Sequence, residues 1–436
     1  LDPQLQTAAE RLLDDALVRR GILDADAQPA GGALVVIDVH NGELLAAASA
    51  PRFDPNLFAG SSGSRLDAIL TDPARPLVDR AVKMALPPGS VFKPTTAVAL
   101  LEAAAVDPDD QFLCRGYLHQ PDRWRCAIYN RHGVGHGEMT LADALAESCN
   151  VYFFHHADRL GPDPLTSWAS RFGFGKPCGI DLPGEASGTL PTPSTMRQIE
   201  GHAWRNGDTR LLAIGQGSLQ ATPLQVVRMM AAIANGGRLV SPHVVSRLGL
   251  PELADGRSAA DPAGDPIQVE PPRPIPGLNA STLAEIREGL HRVVADRRGT
   301  AHGTVHLDAI PIAGKTGTAQ AGGGRPEHAW FAGYVPAERP KLAFVVVLEH
   351  AGDAAQAAGP VAKRLVRRMH QLGYFPTRPT LALHQVPRAA RNHVDSQQHV
   401  GDPVSDDAVP DVLRLHHQPG DQQEPDGGGD CRGDKG

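Results

Sequence analysis

The amino-acid sequence predicts an α+β fold in which both ends of the domain contribute strands to one antiparallel sheet around a mostly helical middle. Residues 33–39 are apolar and rich in β-branched side chains, and the type I′ hairpin signal Asn41-Gly42 leads into a second strand over residues 43–48. Far along the chain, residues 342–348 form an apolar strand, and residues 331–335 are expected to pair beside it.

Terminal helices are predicted to flank these strands. Apolar residues recur at helical spacing over residues 3–20, and residues 356–372 form an amphipathic pattern that ends in basic side chains before Gly373. Residues 251–275 are rich in Pro, Asp and Ala, so we expect an exposed loop there.

The composition is that of a globular enzyme. The 436 residues carry a net charge of −7, which argues against a nucleic-acid partner, and 41% of them are hydrophobic. No run of about 18 apolar residues occurs, so no membrane span is expected in the chain. The first residue is Leu and no signal peptide precedes it, so we expect the C-terminal part of a longer protein.

We expect one domain over residues 1–376 and a tail over residues 377–436. In the tail His, Gln, Asp, Pro and Gly dominate, and residues 424–436 are of low complexity. Such a segment cannot bury enough apolar surface to offset the entropy of ordering it, so a disordered tail is predicted. A shifted reading frame at the sequence end and a partner-binding segment are the alternatives.

Three short motifs carry the chemistry. They are Ser90-Val91-Phe92-Lys93, Ser148-Cys149-Asn150 and Lys315-Thr316-Gly317-Thr318. In this order they match the Ser-x-x-Lys, Ser-x-Asn and Lys-Thr-Gly motifs of serine acyltransferases that react with penicillin. Each motif alone is weak, but the three together indicate a site for acyl transfer.

Ser90 and Lys93 have the spacing of a nucleophile and its base. Ser90 follows a turn at residues 86–89 and precedes an apolar run over residues 95–101, so we place it in the first turn of a helix. Residues i and i+3 share a helix face, which puts Lys93 beside the Ser90 hydroxyl. A lysine acts as a base only if burial or a nearby cation, here Lys315, lowers its pKa by roughly 3 units. The helix N-terminus would offer N–H groups to a developing oxyanion.

The other two motifs supply substrate contacts. Lys315 begins a strand at the sheet edge that faces the Ser90 helix, and its ammonium with the Thr316 and Thr318 hydroxyls would bind a carboxylate. Gly317 would let the substrate backbone approach closely. In the second motif Ser148 can relay a proton and Asn150 can hold an amide carbonyl.

The sequence around these motifs resembles class B penicillin-binding proteins, the monofunctional transpeptidases of bacterial peptidoglycan synthesis. The resemblance covers about residues 1–375. Within this class the sequence is most similar to the elongation type, penicillin-binding protein 2, although many of those proteins carry Asp at the position of Asn150. Besides the three motifs, it rests on Gly179-Ile180-Asp181-Leu182-Pro183-Gly184-Glu185, Gly215-Gln216-Gly217, Thr222-Pro223-Leu224-Gln225 and His328-Ala329-Trp330-Phe331.

This resemblance implies the penicillin-binding transpeptidase fold, a five-stranded antiparallel sheet packed against helices with a helical subdomain. It implies a DD-transpeptidase that cross-links stem peptides through a Ser90 acyl-enzyme, is inhibited by β-lactams and needs no cofactor for catalysis. The implied location is the periplasmic side of the inner membrane. The implied partner is a membrane glycosyltransferase of the elongation complex, contacted through an N-terminal anchor and pedestal absent from this sequence.

Three other functions remain open. The septal transpeptidase, penicillin-binding protein 3, is the close alternative. A serine β-lactamase shares the motifs, but the extra length and the Gly215-Gln216-Gly217 segment argue against it. A non-catalytic β-lactam sensor would be expected to lose Lys93 or Ser148, and both are present.

Cysteines cluster near the second motif. Cys114, Cys126 and Cys149 fall in one short stretch together with His136, and thiolates with an imidazole suit a four-coordinate structural zinc. The resemblance adds that penicillin-binding protein 2 homologues carry a metal near this Gly-His-Gly turn, bound by the middle residue of the second motif. The metal would brace the loop that presents Ser148 and Asn150 to the substrate.

Alternatives to this ligand set remain. Asp122 or His132 could substitute for one of the cysteines as a ligand. A Cys114–Cys126 disulfide and free thiols are the other readings of the cluster, since the implied compartment is oxidising.

Overall fold

The computed structural model describes residues 1–23, 30–58, 63–245, 247–248, 265–266 and 268–376. Its strands are β1 (Gly32–Asp38), β2 (Leu44–Ala50), β3 (Phe112–Cys114), β4 (Gly137–Met139), β5 (Arg238–Leu239), β6 (Arg247–Leu248), β7 (Asp265–Pro266), β8 (Arg273–Pro274), β9 (Ala313–Ala319), β10 (His328–Val335) and β11 (Leu342–Leu348).

Helices fill most of the middle of the domain. They are α1 (Pro3–Leu23), α2 (Gly63–Leu70), α3 (Lys93–Glu102), α4 (Ala127–His132), α5 (Leu141–Ala146), α6 (Asn150–Leu160), α7 (Pro162–Arg171), α8 (Met196–Glu200), α9 (Asn206–Ala213), α10 (Pro223–Ala234), α11 (Ala280–Ala295), α12 (His302–Val305) and α13 (Ala354–Gln371), with 3-10 turns η1 (Pro55–Phe58) and η2 (Gly89–Phe92).

A five-stranded antiparallel sheet joins the two ends of the domain, as the sequence predicts. Its strand order is β2-β1-β11-β10-β9. At its centre β1 pairs with β11 over seven residue pairs, from Gly32 with Leu348 to Asp38 with Leu342. β9, which carries the third motif, is therefore an edge strand.

Both faces of the sheet are covered, which explains why its central strands have almost continuously apolar sequences. Alternate residues of β1 and β11, such as Leu34 and Val346, face α1 and α13 in one core. Val35 and Val345 face the other core, which includes residues of α3, α10 and α11. Every residue of β11 is buried.

The hairpin between β1 and β2 is correctly predicted, but its turn type is not. A type I′ turn needs positive φ at both central residues, and here Gly42 has φ 87° while Asn41 is not among the positive-φ residues. The Asp38 carboxylate instead accepts hydrogen bonds from the N–H groups of His40 (2.7 Å) and Asn41 (3.3 Å). These bonds stabilise a longer loop in which glycine alone takes the left-handed conformation.

Two of the expectations concern residues that the structure leaves out. The tail predicted over residues 377–436 lies outside the described residues, and so does most of the loop predicted over residues 251–275. Among the described residues, no helix is both long enough and apolar enough to cross a membrane.

Candidate active site

Ser90 lies in η2, a 3-10 turn that runs directly into α3, rather than in the first turn of an α-helix. The cause is Pro94, which has no N–H and so cannot donate the usual α-helical bond to the Ser90 carbonyl. The Lys93 N–H donates to that carbonyl instead. Since side chains at i and i+3 eclipse one another in a 3-10 turn, Ser90 and Lys93 still project from the same side.

Close backbone contacts hold this turn in place. The Gly89 N–H donates to the Gly215 carbonyl at 2.8 Å. A Cβ atom on Gly215 would lie 2.1 Å from the Gly89 oxygen, and one on Gly89 would lie 2.9 Å from the Thr318 oxygen. The Ser90 turn is therefore packed between the edge strand β9 and the segment Gly215-Gln216-Gly217.

Lys93 is fully buried and connects the first motif to the second. Its ammonium donates to the Ser148 carbonyl at 2.7 Å, to Asn150 Oδ1 at 2.8 Å and to Ser148 Oγ at 3.1 Å. Burial lowers the pKa of Lys93 to about 8, against the opposing pull of Cys149 and Cys126. A base role for this lysine requires such a lowered pKa, and its main cause is burial rather than the charge of Lys315.

The second motif is a tight turn that leads into α6. Ser148 has φ 56°, a left-handed conformation that is unusual for serine. Cys149 is the N-cap of α6, where its Sγ accepts a hydrogen bond from the Tyr152 N–H at 3.3 Å, and Asn150 is the first helical residue. Cys149 is therefore buried, while Ser148 and Asn150 line the cleft.

On β9 the third motif alternates between the interior and the cleft. Thr316 and Thr318 line the cleft, whereas Lys315 is fully buried and donates weakly to the Thr316 carbonyl at 3.4 Å. Burial, together with the charge of Lys93, lowers the pKa of Lys315 well below its ordinary value. Of the three groups predicted to bind a carboxylate, the two hydroxyls thus line the cleft, whereas the ammonium is buried.

Gly317 allows β9 to pack closely against the Ser90 turn. A Cβ atom there would lie 2.7 Å from the Pro88 oxygen, 2.9 Å from Val91 Cγ1 and 3.0 Å from the Val91 nitrogen. The missing side chain lets β9 approach the Ser90 turn, so glycine is needed for packing within the protein.

The backbone of Thr318 points away from the sheet. Its carbonyl oxygen accepts a hydrogen bond from Gln216 Nε2 at 3.3 Å and faces the Ser90 turn, since a Cβ atom on Gly89 would lie 2.9 Å from it. In an antiparallel pair the N–H and C=O of one residue point to the same side. The Thr318 N–H is therefore directed toward η2, where an oxyanion formed at Ser90 would lie.

The motifs meet at one cleft of about 470 Å³. Its lining also includes Glu147, Arg298 and Thr300, which the sequence did not single out because no motif contains them. Arg298 forms an ion pair with Glu147 at 3.1 Å, and the Thr300 hydroxyl lies 2.7 Å from the Thr316 hydroxyl. An ion pair of 2.8 Å between Arg131 and Asp353 connects α4 to the start of α13, and both residues line the cleft.

The four predicted metal ligands converge behind the second motif. Cys126 Sγ lies 3.7 Å from Cys114 Sγ and 3.6 Å from Cys149 Sγ, and Cys114 Sγ lies 3.4 Å from His136 Nδ1. All four ligand atoms lie within 4.8 Å of one another. The cysteines are free, since a disulfide needs an S–S distance of about 2.05 Å.

The substitutes Asp122 and His132 are exposed and are not part of this cluster.

Fold and site together define a penicillin-binding transpeptidase. Residues 32–370 match the family described as penicillin binding protein transpeptidase domain, and the chain belongs to this family. The predicted fold class and the resemblance to class B penicillin-binding proteins are thereby confirmed.

Individual relatives point to one branch of the family. The peptidoglycan D,D-transpeptidase MrdA of Haemophilus influenzae is 33% identical over 353 residues, covering 77% of this chain and 52% of that protein. MrdA of Acinetobacter baumannii is 35% identical over 353 residues, covering 76% and 50%. The chain thus spans about half the length of these relatives.

Solved structures agree with this branch. PBP2 of Pseudomonas aeruginosa, solved in complex with WCK 5153, superposes with a TM-score of 0.73 at 32% identity, covering 88% of this chain and 77% of that one. PBP2 of Helicobacter pylori, solved in complex with MreC, gives a TM-score of 0.71 at 29% identity, covering 85% and 63%.

The contact between β9 and η2 leads to a prediction for Gly317→Ala. The added methyl group must displace the backbone of the Ser90 turn, so we expect penicillin acylation to slow by at least about tenfold and stability to fall by about 1–3 kcal/mol. Stopped-flow acylation and thermal melting measure the two effects. Gly303→Ala is the matched control, because a Cβ atom there meets nothing within 4 Å. Wild-type values for both measurements in Gly317→Ala would contradict this account of the strand.

Proposed function

We propose that this chain is the catalytic domain of a peptidoglycan DD-transpeptidase of the elongation type. The observation that carries the proposal is the buried Lys93 ammonium, bonded to both Ser148 and Asn150 at a cleft shared with Ser90 and the β9 hydroxyls. Similarity to MrdA proteins and to PBP2 structures supports the elongation type over the septal type.

In the acylation step the Ser90 hydroxyl attacks the penultimate D-Ala carbonyl of a stem pentapeptide. Neutral Lys93 accepts the hydroxyl proton, and the N–H groups of Ser90 and Thr318 stabilise the oxyanion. The C–N bond then breaks, Lys93 returns the proton through Ser148 to the leaving D-Ala amine, and an ester remains on Ser90. The amine of a second stem attacks this ester, which forms the cross-link and frees Ser90.

The other groups in the cleft orient the substrate. The Thr316 and Thr318 hydroxyls bind the terminal carboxylate, and Lys315, buried beside Thr316 on β9, adds positive potential in its protonated form. The Asn150 side chain, already bonded to Lys93 and to the Arg125 carbonyl, holds an amide group of the stem. These protein groups suffice for acyl transfer, so no cofactor enters the chemistry. A β-lactam enters by the same route and leaves an ester that water removes slowly.

The location and the partners of the enzyme are inferred from its relatives. The H. pylori PBP2 structure contains MreC, and another relative comes from a peptidoglycan synthase complex that coordinates polymerization and crosslinking. We therefore propose a periplasmic catalytic domain anchored at the inner membrane, working beside a membrane glycosyltransferase. The intact contact of Lys93 with Ser148 argues against a non-catalytic sensor.

Penicillin should form a stable adduct on Ser90. Incubation with benzylpenicillin followed by peptide mapping in a mass spectrometer should place the adduct on the peptide that contains Ser90. The adduct should be absent from Ser90→Ala and should persist for many minutes in the wild type. An adduct that remains in Ser90→Ala would refute the assignment, and rapid hydrolysis would favour a β-lactamase.

Acylation should depend on pH through Lys93. Only the neutral amine accepts a proton, and with a pKa of about 8 roughly one lysine in ten is neutral at pH 7. The acylation rate should therefore rise with pH through about 8 and then level off. Lys93→Ala should lose the rate by orders of magnitude even at saturating penicillin, whereas Lys83→Ala, at an exposed lysine, should not. A wild-type rate in Lys93→Ala would rule out the role of base.

We further propose that Cys114, Cys126, His136 and Cys149 hold a structural zinc ion. A tetrahedral site with Zn–S bonds of about 2.3 Å requires S···S distances of about 3.8 Å. The distances of 3.7 and 3.6 Å between the sulfur atoms fit this requirement. Four protein ligands would fill the coordination sphere, so the ion would brace the Ser148 turn without entering the reaction.

The zinc proposal predicts one metal ion per chain in protein purified without added zinc. Cys149→Ser should lose the metal and lower the melting temperature by several degrees, with a smaller loss of acylation. Cys178→Ser is the matched control, since Cys178 is a buried thiol outside the cluster. Elemental mass spectrometry and thermal melting are the measurements. A metal-free protein of full stability, or a Cys114–Cys126 disulfide in peptide maps, would count against zinc.

A further inference from the structure

Thr300 is a cleft residue that belongs to none of the three motifs. It follows the end of α11, and its Oγ1 lies 2.7 Å from Oγ1 of Thr316, the first hydroxyl of the third motif. Its backbone N–H donates to the Ala146 carbonyl at 3.1 Å, at the end of the helix that precedes Ser148. Thr300 therefore connects the elements that carry the second and third motifs.

The segment around Thr300 is held rigidly. A Cβ atom on Gly299 would lie 2.4 Å from the carbonyl oxygens of both Arg292 and Val293, so only glycine lets the chain fold back over the end of α11. The Ala301 N–H then donates to the Val293 carbonyl at 3.0 Å. With both flanking residues fixed in this way, the Thr300 hydroxyl has a defined position relative to Thr316.

The direction of the hydrogen bond matters because each hydroxyl has a single proton. If the Thr316 hydroxyl donates its hydrogen bond to a substrate carboxylate, its oxygen can only accept a hydrogen bond from the Thr300 hydroxyl. Thr318 shows the same arrangement with no ambiguity, since its Oγ1 accepts from the Ala354 N–H at 3.2 Å and an amide can only donate. Each hydroxyl thus receives a bond from the protein, and its own proton is left for the ligand.

We propose that Thr300 is a positioning residue that orients the Thr316 hydroxyl to donate to the terminal carboxylate of the stem peptide or β-lactam. This role rests on the proposed function and adds a recognition element to it. Without the Thr300 hydroxyl, the Thr316 hydroxyl is free to rotate and to donate elsewhere, so recognition of the carboxylate weakens while the reaction at Ser90 is otherwise unaffected.

The test compares two probes that differ only in the carboxylate, benzylpenicillin and its methyl ester. Thr300→Val removes the hydroxyl and keeps the shape, and we expect it to slow acylation by benzylpenicillin about tenfold, since a charge-assisted hydrogen bond is at stake. Acylation by the ester should change less than about twofold. Thr300→Ser, which keeps the hydroxyl, should restore most of the rate with benzylpenicillin.

Thr304→Val is the control, because the buried Thr304 hydroxyl has no hydrogen-bond partner among the described residues. It should leave both rates unchanged. Equal losses with the two probes, or no loss with benzylpenicillin, would overturn the role of Thr300. If valine disturbs packing, as melting would reveal, Thr300→Ala gives the same comparison. A wild-type protein that neither probe acylates would instead refute the proposed function, and this role with it.

Discussion

The burial of the Lys93 ammonium is the constraint on which the rest of the site depends. A lysine taken out of water must find hydrogen-bond acceptors, and here they are the backbone and side chain of Ser148 and the amide oxygen of Asn150. The second motif therefore has to turn back on itself, which explains the left-handed conformation of Ser148. The same burial shifts the proton affinity of the amine toward neutral pH. The burial of one lysine thus links the geometry of the second motif to the pKa of the amine.

The cysteine cluster reaches the same turn from the opposite side. Cys149 separates Ser148 from Asn150, and the Asn150 amide donates to the carbonyl of Arg125, the residue before Cys126. A change in the charge of these sulfur atoms would change the pKa of Lys93, because the charges of Cys149 and Cys126 raise that pKa while burial lowers it. A bound metal would therefore act on Lys93 through electrostatics as well as through the geometry of the loop.

Much of this arrangement could be predicted from the sequence, because it depends on local patterns. Apolar runs located the three sheet strands nearest the termini, and residue spacing placed Ser90 and Lys93 within one helical turn. The turn type of the β1–β2 hairpin was predicted wrongly, and the sequence did not show how neighbours outside each pattern shape the local geometry. Pro94 converts the Ser90 turn to 3-10 geometry, Asp38 changes the hairpin turn, and the approach of Pro88 explains Gly317. Thr300 gave no signal, since its role comes from a contact across the cleft with a residue 16 positions away.

The pairing of β1 with β11 has a consequence for how the molecule forms. The first strand of the domain finds its central partner only after almost the whole domain exists, because Gly32 pairs with Leu348. Such distant pairing makes folding slow, since a long loop must close before any contact across it is gained. The Ser90 turn packs against β9, which joins the sheet only through strands made later in the chain. A nascent chain that already contains Ser90 and Ser148 therefore has no complete cleft, and the cleft forms only when β9 and its partner strands have been made.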